Sequence, residues 1–491
     1  MSLRQGPVES LHNGMIPVDI HTSTSGRDAM LGQQLVYFNL FGFFCSFRKT
    51  QLNLYFEHLH KKYGKLVKVR TGNRWDIFVF DPEYIRLLMA QEGKCPNRMT
   101  PPILNVFYDK KGIKKTFSSL QGEEWHAKRM HVQKFINARS VNSYLPSQNS
   151  VANDLVIQLD KNENELEIDD VLSRYVADVN AVVAFNSKMG FLDDEILREC
   201  PEKREYLVAS RRTFSLFAES MFSVPFFKYY ETRIYKDFES SLDSVIRFIR
   251  VEVSKAIKRS MSEMSKCEDN LLINMYRSGI YGWDELSLIM HSLMFAGVNS
   301  TSATLQWLLW SLSGDEEVQA RLHEEISENM GQSLYIQPTT LAHMPYLKAC
   351  VKECFRLVFP SLNGSMRILP QETIVDKYIL PKGTYVHFGH NALCRSEEYF
   401  ESPNEFKPER WLSGTKDQAI KLKMSYAVMP FGFGPRSCLG RRFAEQEIYL
   451  AVIKIVQNFQ LYRDTNAKTP EVLYSTIPFP SCPFPVKFRK R

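Results

Sequence analysis

The chain has 491 residues, 44% of them hydrophobic and 24% charged, a balance that excludes a disordered or fibrous protein and suits a large core. Its formal net charge of +7 is too mild to imply nucleic-acid binding, though it leaves room for one basic docking patch. Length alone leaves room for roughly three domains. The nine cysteines include no C-x-x-C. Cys350 and Cys354 are four apart on an expected helix with no histidine at zinc-finger spacing, so mostly structural thiols in a reducing compartment are the simplest reading.

Residues 1–50 match no nameable pattern. The stretch 31–47 contains Gln33, Gln34 and Asn39 and falls short of the about 20 apolar residues that a spanning helix needs. Arg4 and Arg27 are mixed with Glu9, Asp19 and Asp28, so no mitochondrial presequence is evident. From Leu54 onward the chain is organised. Gly64 caps a helix C-terminally. Leu66–Val69 and Asp76–Phe80 read as a hairpin with Gly72-Asn73 in its turn. Asp81 and Pro82 open the next helix as N-cap and first residue.

A further helix begins at Gly122, where Trp125 and Arg129 are spaced i, i+4 and share a face. Taken alone, they read as an aromatic packed on an arginine stem. Phe214–Phe238 is rich in aromatics and interrupted by Pro225. Lys228, Arg233 and Lys236 lie among them, which suits a membrane interface as well as a core stripe. Leu286–Leu312 is apolar nearly all round and should form a buried helix. Gly297 and the hydroxyls of Ser300, Thr301 and Ser302 invite a local kink in it. Glu353 and Arg356 are i, i+3 on the next helix and can form an internal ion pair, with Lys348 and Lys352 on its outward face. Tyr474–Pro480 reads as a hairpin turn.

The densest chemistry lies at Phe431–Gly440, F-G-F-G-P-R-S-C-L-G. Its glycines let the backbone bend tightly and approach a flat group closely. Cys438 stands just before a helical stretch, where the helix dipole favours a thiolate. A thiolate in such a loop is what a haem iron needs as proximal ligand, and Arg436 could reach a haem carboxylate. The bland alternative is a buried structural cysteine.

The pattern F-x-x-G-x-R-x-C-x-G resembles the haem-binding loop of the cytochromes P-450, the haem-thiolate monooxygenases. The likeness runs over about residues 54–491 and is densest from 286 to 450. It implies a mainly α fold with a small β region, a single large haem domain over 51–491 behind a divergent segment 1–50. It implies haem b (iron protoporphyrin IX) on Cys438, within a loop shaped by Phe431 and Gly434. Trp125, Arg129, Arg367 and Arg436 would hold the propionates. Phe295–Ser302 resembles the family's oxygen-binding helix, A-G-x-[DE]-T-[ST], with Asn299 in place of the usual acid and Ser300 in place of the usual threonine. Asn299, Ser300 and the neighbouring Thr301 would manage protons and water there. Glu353, Arg356 and Arg410 of Pro408-Glu409-Arg410-Trp411 would form the structural cluster that holds the cysteine loop.

Met221–Phe227 resembles the family's substrate entrance, which dips into a membrane surface, and the tip of Tyr474–Pro480 would enter the substrate pocket. The stretches around Lys348 and Lys352 and around Arg441 and Arg442 resemble the mitochondrial branch, in which these cations dock an acidic, adrenodoxin-like [2Fe–2S] ferredoxin. The implied reaction inserts one oxygen atom from O2 into a lipophilic molecule, sterol- or steroid-like or a xenobiotic. The implied place is the matrix side of the mitochondrial inner membrane, by peripheral contact. Two rival readings remain open at this point: a haem-thiolate isomerase or lyase that rearranges a peroxide without an electron donor, and a non-catalytic haem- or lipid-binding protein.

Overall fold

The computed structural model describes Glu9–Ser10 and residues 47–491, apart from 72–73, 162–166, 222, 263–269, 332, 334, 363–365, 413–417 and 465. Helices dominate, and the strands are short. Near the start, helix Leu52–Tyr63 buries Leu52, Tyr55, Phe56 and Leu59 along one face, the spacing of an amphipathic helix against a core. It ends at Gly64, whose φ of 89° is one that a β-carbon disfavours. Strands Leu66–Thr71 and Arg74–Val79 then pair antiparallel. Each reaches two residues further toward the turn than the sequence pattern predicts, and the turn itself, Gly72-Asn73, lies outside the described residues. The Asp81 carboxylate accepts from the N–H groups of Glu83 and Tyr84 at 2.8 and 3.2 Å and so caps helix Pro82–Ala90.

Arg74–Val79 also pairs, in parallel, with Tyr385–Phe388, whose other edge carries Arg367–Ile368. This four-stranded sheet brings the segment around Arg367 back beside the N-terminal hairpin, close to residues that precede it by more than 250 positions. That return is what lets Arg367 meet Glu92 in the site described below.

The helical mass is built around Trp283–Ser313, one continuous element across Gly297. Ile168–Phe185, buried on nearly every face, packs along it, as do Arg233–Ser262 and Arg441–Asn458. The close approach has a local cause. A β-carbon at Gly297 would lie 2.6 Å from Asn180 Oδ1, so glycine lets the Asn180 side chain come this close without turning aside. Helix Pro345–Leu357 bridges this mass to the cysteine loop. Its Cys354 Sγ lies 3.8 Å from the Thr304 carbonyl, and its Phe355 ring packs edge-on against Phe431 with centroids 5.3 Å apart.

Helices Pro201–Met221 and Arg233–Ser262 pack on each other, joined through a 3-10 turn at Phe226–Lys228. The aromatic stretch between them divides between the two environments that its composition left open. Phe227, Tyr235 and Phe238 are buried, whereas Phe226, Tyr229 and Tyr230 are exposed; Phe222 lies outside the described residues. Among the described residues no helix is long and apolar enough to cross a membrane, and the stretch 31–46 falls outside them. Near the C-terminus, Val472–Tyr474 and Pro478–Pro480 pair antiparallel around Ser475–Ile477.

Candidate functional site

The loop Phe431–Gly440 is shaped by its glycines. Gly432 and Gly434 have φ of 68° and 66°, the left-handed region that favours glycine. A β-carbon at Gly434 would also collide with Glu92 Oε1. The Cys438 N–H donates to the Phe431 carbonyl at 2.8 Å, which closes the loop, and helix Arg441–Asn458 follows directly. Cys438 is solvent-accessible, yet burial raises its thiol pKa, outweighing the Gly440 N–H, Arg129 and Arg441, which lower it. Both facts hold for a sulfur that lines an enclosed space. The net shift is opposite to that expected from the helix N-terminus alone, because desolvation of a thiolate exceeds the dipole's contribution. A coordinated metal ion would reverse it, since thiol ligands deprotonate on binding.

Around this sulfur the fold gathers arginines. Arg129, on helix Gly122–Phe135, donates to the Ser437 carbonyl at 2.8 Å. Arg436 donates to the carbonyls of Pro96 and Leu120 at 2.8 and 3.2 Å. Its guanidinium lies 3.5 Å from the centre of the Trp125 ring. The arginine packed on Trp125 is thus Arg436 and not Arg129, its neighbour in the i, i+4 reading. Arg367 pairs with Glu92 at 2.6 Å. A further cation, Arg98, joins them: burial and the charges of Arg367 and Arg129 push it down to about 10. Burial and the charges of Arg98, Arg367 and Arg129 push Arg436 down to about 9. Among the described residues, Glu92 is a carboxylate that acts on Arg436 against those cations. Arg436 Nη1 and Glu92 Oε1 are both buried without a partner. A surplus of positive charge beside an accessible sulfur can neutralise a dianion there.

The central helix contributes an accessible stripe. Ala296 is exposed, and Ser292 and Ser300, one turn to either side of it, are half-buried. The Ser300 hydroxyl donates to the Ala296 carbonyl at 2.8 Å. Asn299 is half-buried, and its Nδ2 has no partner. Thr301 does not join them. It is 3% exposed and continues the buried stripe of Val298 and Leu305, because one residue turns a helix by about 100°. The three expected distal residues therefore divide, with Asn299 and Ser300 near the open stripe and Thr301 in the packed side.

Behind the loop, Glu353 and Arg356 are fully buried. Arg356 reaches both Glu353 oxygens, at 2.9 and 2.7 Å. Arg410 Nε, the Lys407 N–H and Trp411 Nε1 also donate to Glu353, at 3.0, 3.0 and 2.9 Å. Arg356 further donates to the carbonyls of Cys394, Pro403 and Glu405. Outside this knot, Lys352 is exposed and lies 4.0 Å from the centre of the Trp411 ring. Burial and the charge of Arg441 lower its pKa, which places Lys352 and Arg441 in one field. Arg441 pairs with Glu445 at 2.9 Å, and Arg442 is exposed. Lys348 is half-buried and donates to the Ala342 carbonyl at 2.9 Å, so it is partly withdrawn from the outward face.

The profile of the family described as Cytochrome P450 matches residues 33–488. The chain is 30% identical over 428 residues to cytochrome P450 27C1 of Danio rerio, covering 84% of this chain and 77% of that protein. It is 27% identical over 438 residues to the mitochondrial 1,25-dihydroxyvitamin D(3) 24-hydroxylase of Rattus norvegicus, covering 88% and 83%. With the mitochondrial sterol 26-hydroxylase of the same organism it shares 26% over 432 residues, covering 83% and 80%. An accessible cysteine in a glycine loop, the arginines around it and a family match along nearly the whole chain agree, and the chain belongs to the cytochrome P450 family of haem b monooxygenases.

Proposed function

We propose that Cys438 is the axial ligand of the haem iron and that the enzyme oxidises a sterol- or steroid-like lipid with electrons from an adrenodoxin-like [2Fe–2S] ferredoxin. The observation that carries the assignment is the accessible Cys438 sulfur beside buried, under-neutralised arginines. This donor set fits haem b, which presents iron to a soft ligand and two carboxylates to cations. Arg436, Arg129, Arg367 and Trp125 would hold the propionates, with Arg98 as an addition that sequence reading did not single out. Bound there, haem b supplies the oxygen-activating chemistry. The chain's own contribution is to fix the ligand, neutralise the propionates and position substrate and water along the Ala296–Ser300 stripe.

The relatives named as mitochondrial hydroxylases of vitamin D(3) and of sterol support the lipid substrate and a mitochondrial place, and with it the matrix side of the inner membrane and a ferredoxin as donor are proposed. Exposed Phe226, Tyr229 and Tyr230 beside Lys228, Arg233 and Lys236 suit peripheral membrane contact. Lys352, Arg441 and Arg442 form the docking patch, with Lys348 at its margin. Attraction across such a patch is screened over about 8 Å at physiological ionic strength. Lys348→Glu with Lys352→Glu should therefore slow reduction by an acidic ferredoxin about tenfold at low salt and flatten its salt dependence. Haem content should be unchanged, and stopped-flow reduction measures the effect. Unaltered kinetics would remove the ferredoxin assignment.

Asn299 and Ser300 set a second expectation. An amide orients water but does not relay a proton as a carboxylate does, and the Ser300 donor is engaged with Ala296. The parent enzyme should divert part of its electrons to hydrogen peroxide. Asn299→Asp with Ser300→Thr should raise product formed per electron, read by assaying product and peroxide together. Turnover of a peroxide substrate without a donor would instead support the isomerase reading.

A further inference from the structure

The proposed mechanism uses the arginines beside the cysteine loop and leaves their acidic neighbour, Glu92, without a role. Glu92 is 6% exposed. It stands just past helix Pro82–Ala90, at the start of a segment tied to strand Arg367–Ile368, where the Ile368 N–H donates to the Asn97 carbonyl at 2.9 Å. Gln121 Oε1 holds the same region, accepting from the Arg98 N–H at 3.2 Å and from Arg436 Nη2 at 3.0 Å. One carboxylate oxygen of Glu92 accepts from Arg367 Nε at 2.6 Å, and the other has no partner among the described residues. That second oxygen lies against Gly434, where a β-carbon would collide with it, and Cys438 follows four residues on. Burying an acid here carries a desolvation cost that a single ion pair only partly offsets. Arg367 is also held by the Met366 carbonyl at 3.1 Å, so anchorage alone does not account for that cost.

We infer that Glu92 is a resident counter-charge of the arginine cluster, which lowers the positive charge that the cluster keeps once haem is bound and so holds the iron's reduction potential down. This rests on the reading that the arginines receive the propionates, and adds a tuning residue to it. The groups share one field. Burial raises the Glu92 pKa, and Arg367 and Arg436 oppose that rise. Burial lowers Arg98 and Arg129, and the charge of Cys438 opposes that fall. Charge in the cluster is thus felt at the ligand sulfur. Reduction adds an electron at the iron, so a positive charge nearby favours the reduced state and a negative one opposes it. A unit charge about 10 Å away, at an effective dielectric constant of about 20, changes such an equilibrium roughly tenfold.

The test measures the midpoint potential of the haem-loaded protein by redox titration. Glu92→Gln, which keeps an acceptor for Arg367 Nε, should move the iron about tenfold toward the reduced form, a rise of about 59 mV for one electron. Glu92→Asp keeps the charge and should stay near the parent. A second measurement, haem transfer to excess apomyoglobin, checks the propionate reading: Arg436→Gln should lose haem about tenfold faster than the parent. An unchanged rate in R436Q would remove that reading and the inference with it. Faster loss from R436Q together with a parental potential in E92Q overturns the inference and leaves the propionate reading in place. A rise in E92D as large as that in E92Q overturns it too, because position and not charge would then be responsible. If E92Q holds no haem, the charge of Glu92 is read by comparing Arg367→Gln with the double variant E92Q/R367Q, in which neither partner of the pair is left uncompensated. The double variant should lie about tenfold further toward the reduced form than R367Q, and equal potentials overturn the inference.

Discussion

Cys438→Ser should purify with little or no haem, and whatever it retains should lack the thiolate signature in the reduced carbon-monoxide spectrum. Serine preserves the size of the side chain and the loop's backbone bond from residue 438 to the Phe431 carbonyl, so the pocket should survive. What disappears is the soft, deprotonatable ligand, since a hydroxyl does not replace a thiolate on iron. The surrounding arginines add to the effect. On the proposed assignment, loss of the propionates leaves Arg436, Arg98 and Arg367 to repel one another, with Glu92 as a carboxylate among them. The apo variant should consequently be less stable than the haem-loaded parent, in line with ligand-linked stabilisation. The measurement is haem per protein together with that spectrum. An unchanged spectrum would show that another residue ligates the iron.

The second large effect concerns stability. Glu353→Gln should destabilise the protein by about 3–5 kcal/mol, the usual cost of leaving one partner of a buried ion pair uncompensated. Arg356 is fully buried and cannot turn to water. Its remaining partners, the carbonyls of Cys394, Pro403 and Glu405, accept hydrogen bonds but carry no full charge. Glu353 also accepts from Arg410, Trp411 and the Lys407 backbone, so the same change weakens the anchoring of the 403–411 segment. Urea unfolding of the haem-loaded protein, followed by tryptophan fluorescence and by haem absorption, reads the loss. A midpoint that moves by the equivalent of less than about 1 kcal/mol would show that Arg356 is adequately neutralised by carbonyls alone.

Legibility from sequence followed how tightly chemistry constrains spacing. The loop at Phe431–Gly440 could be read because positive φ demands glycine at Gly432 and Gly434 and the sulfur must follow at a set distance. Glu353 and Arg356 could be read because i, i+3 on a helix brings charges together. Arg98 and Glu92 could not. They sit in a loop with no periodicity, and their importance arises only when Arg367 and Arg436 arrive from far along the chain. The separation of Thr301 from Ser300 was implicit in the helical turn, but two adjacent hydroxyls conceal it when read for composition. Whether Phe226 or Phe227 faces inward depends on a single 3-10 turn, too short for any burial period to show in the residues.

The approach of Asn180 to Gly297 has a mechanical consequence. A side chain in the space of a missing β-carbon opposes sliding, since Asn180, held to the Val176 carbonyl, must first turn aside, so Trp283–Ser313 and Ile168–Phe185 should move together as one beam. Admission of a bulky guest then falls to elements without such a lock. Pro201–Met221 lies over the beam, and its contacts with it include the Phe214–Phe295 and Phe217–Phe295 rings. Packed helices shear over small distances, and here the ring contacts offer less resistance to it than the Asn180–Gly297 approach. The enzyme should therefore breathe by lifting its roof and not by bending its floor. Hydrogen exchange would show this as rapid opening in residues 201–221 above a slowly exchanging stretch from 168 to 185.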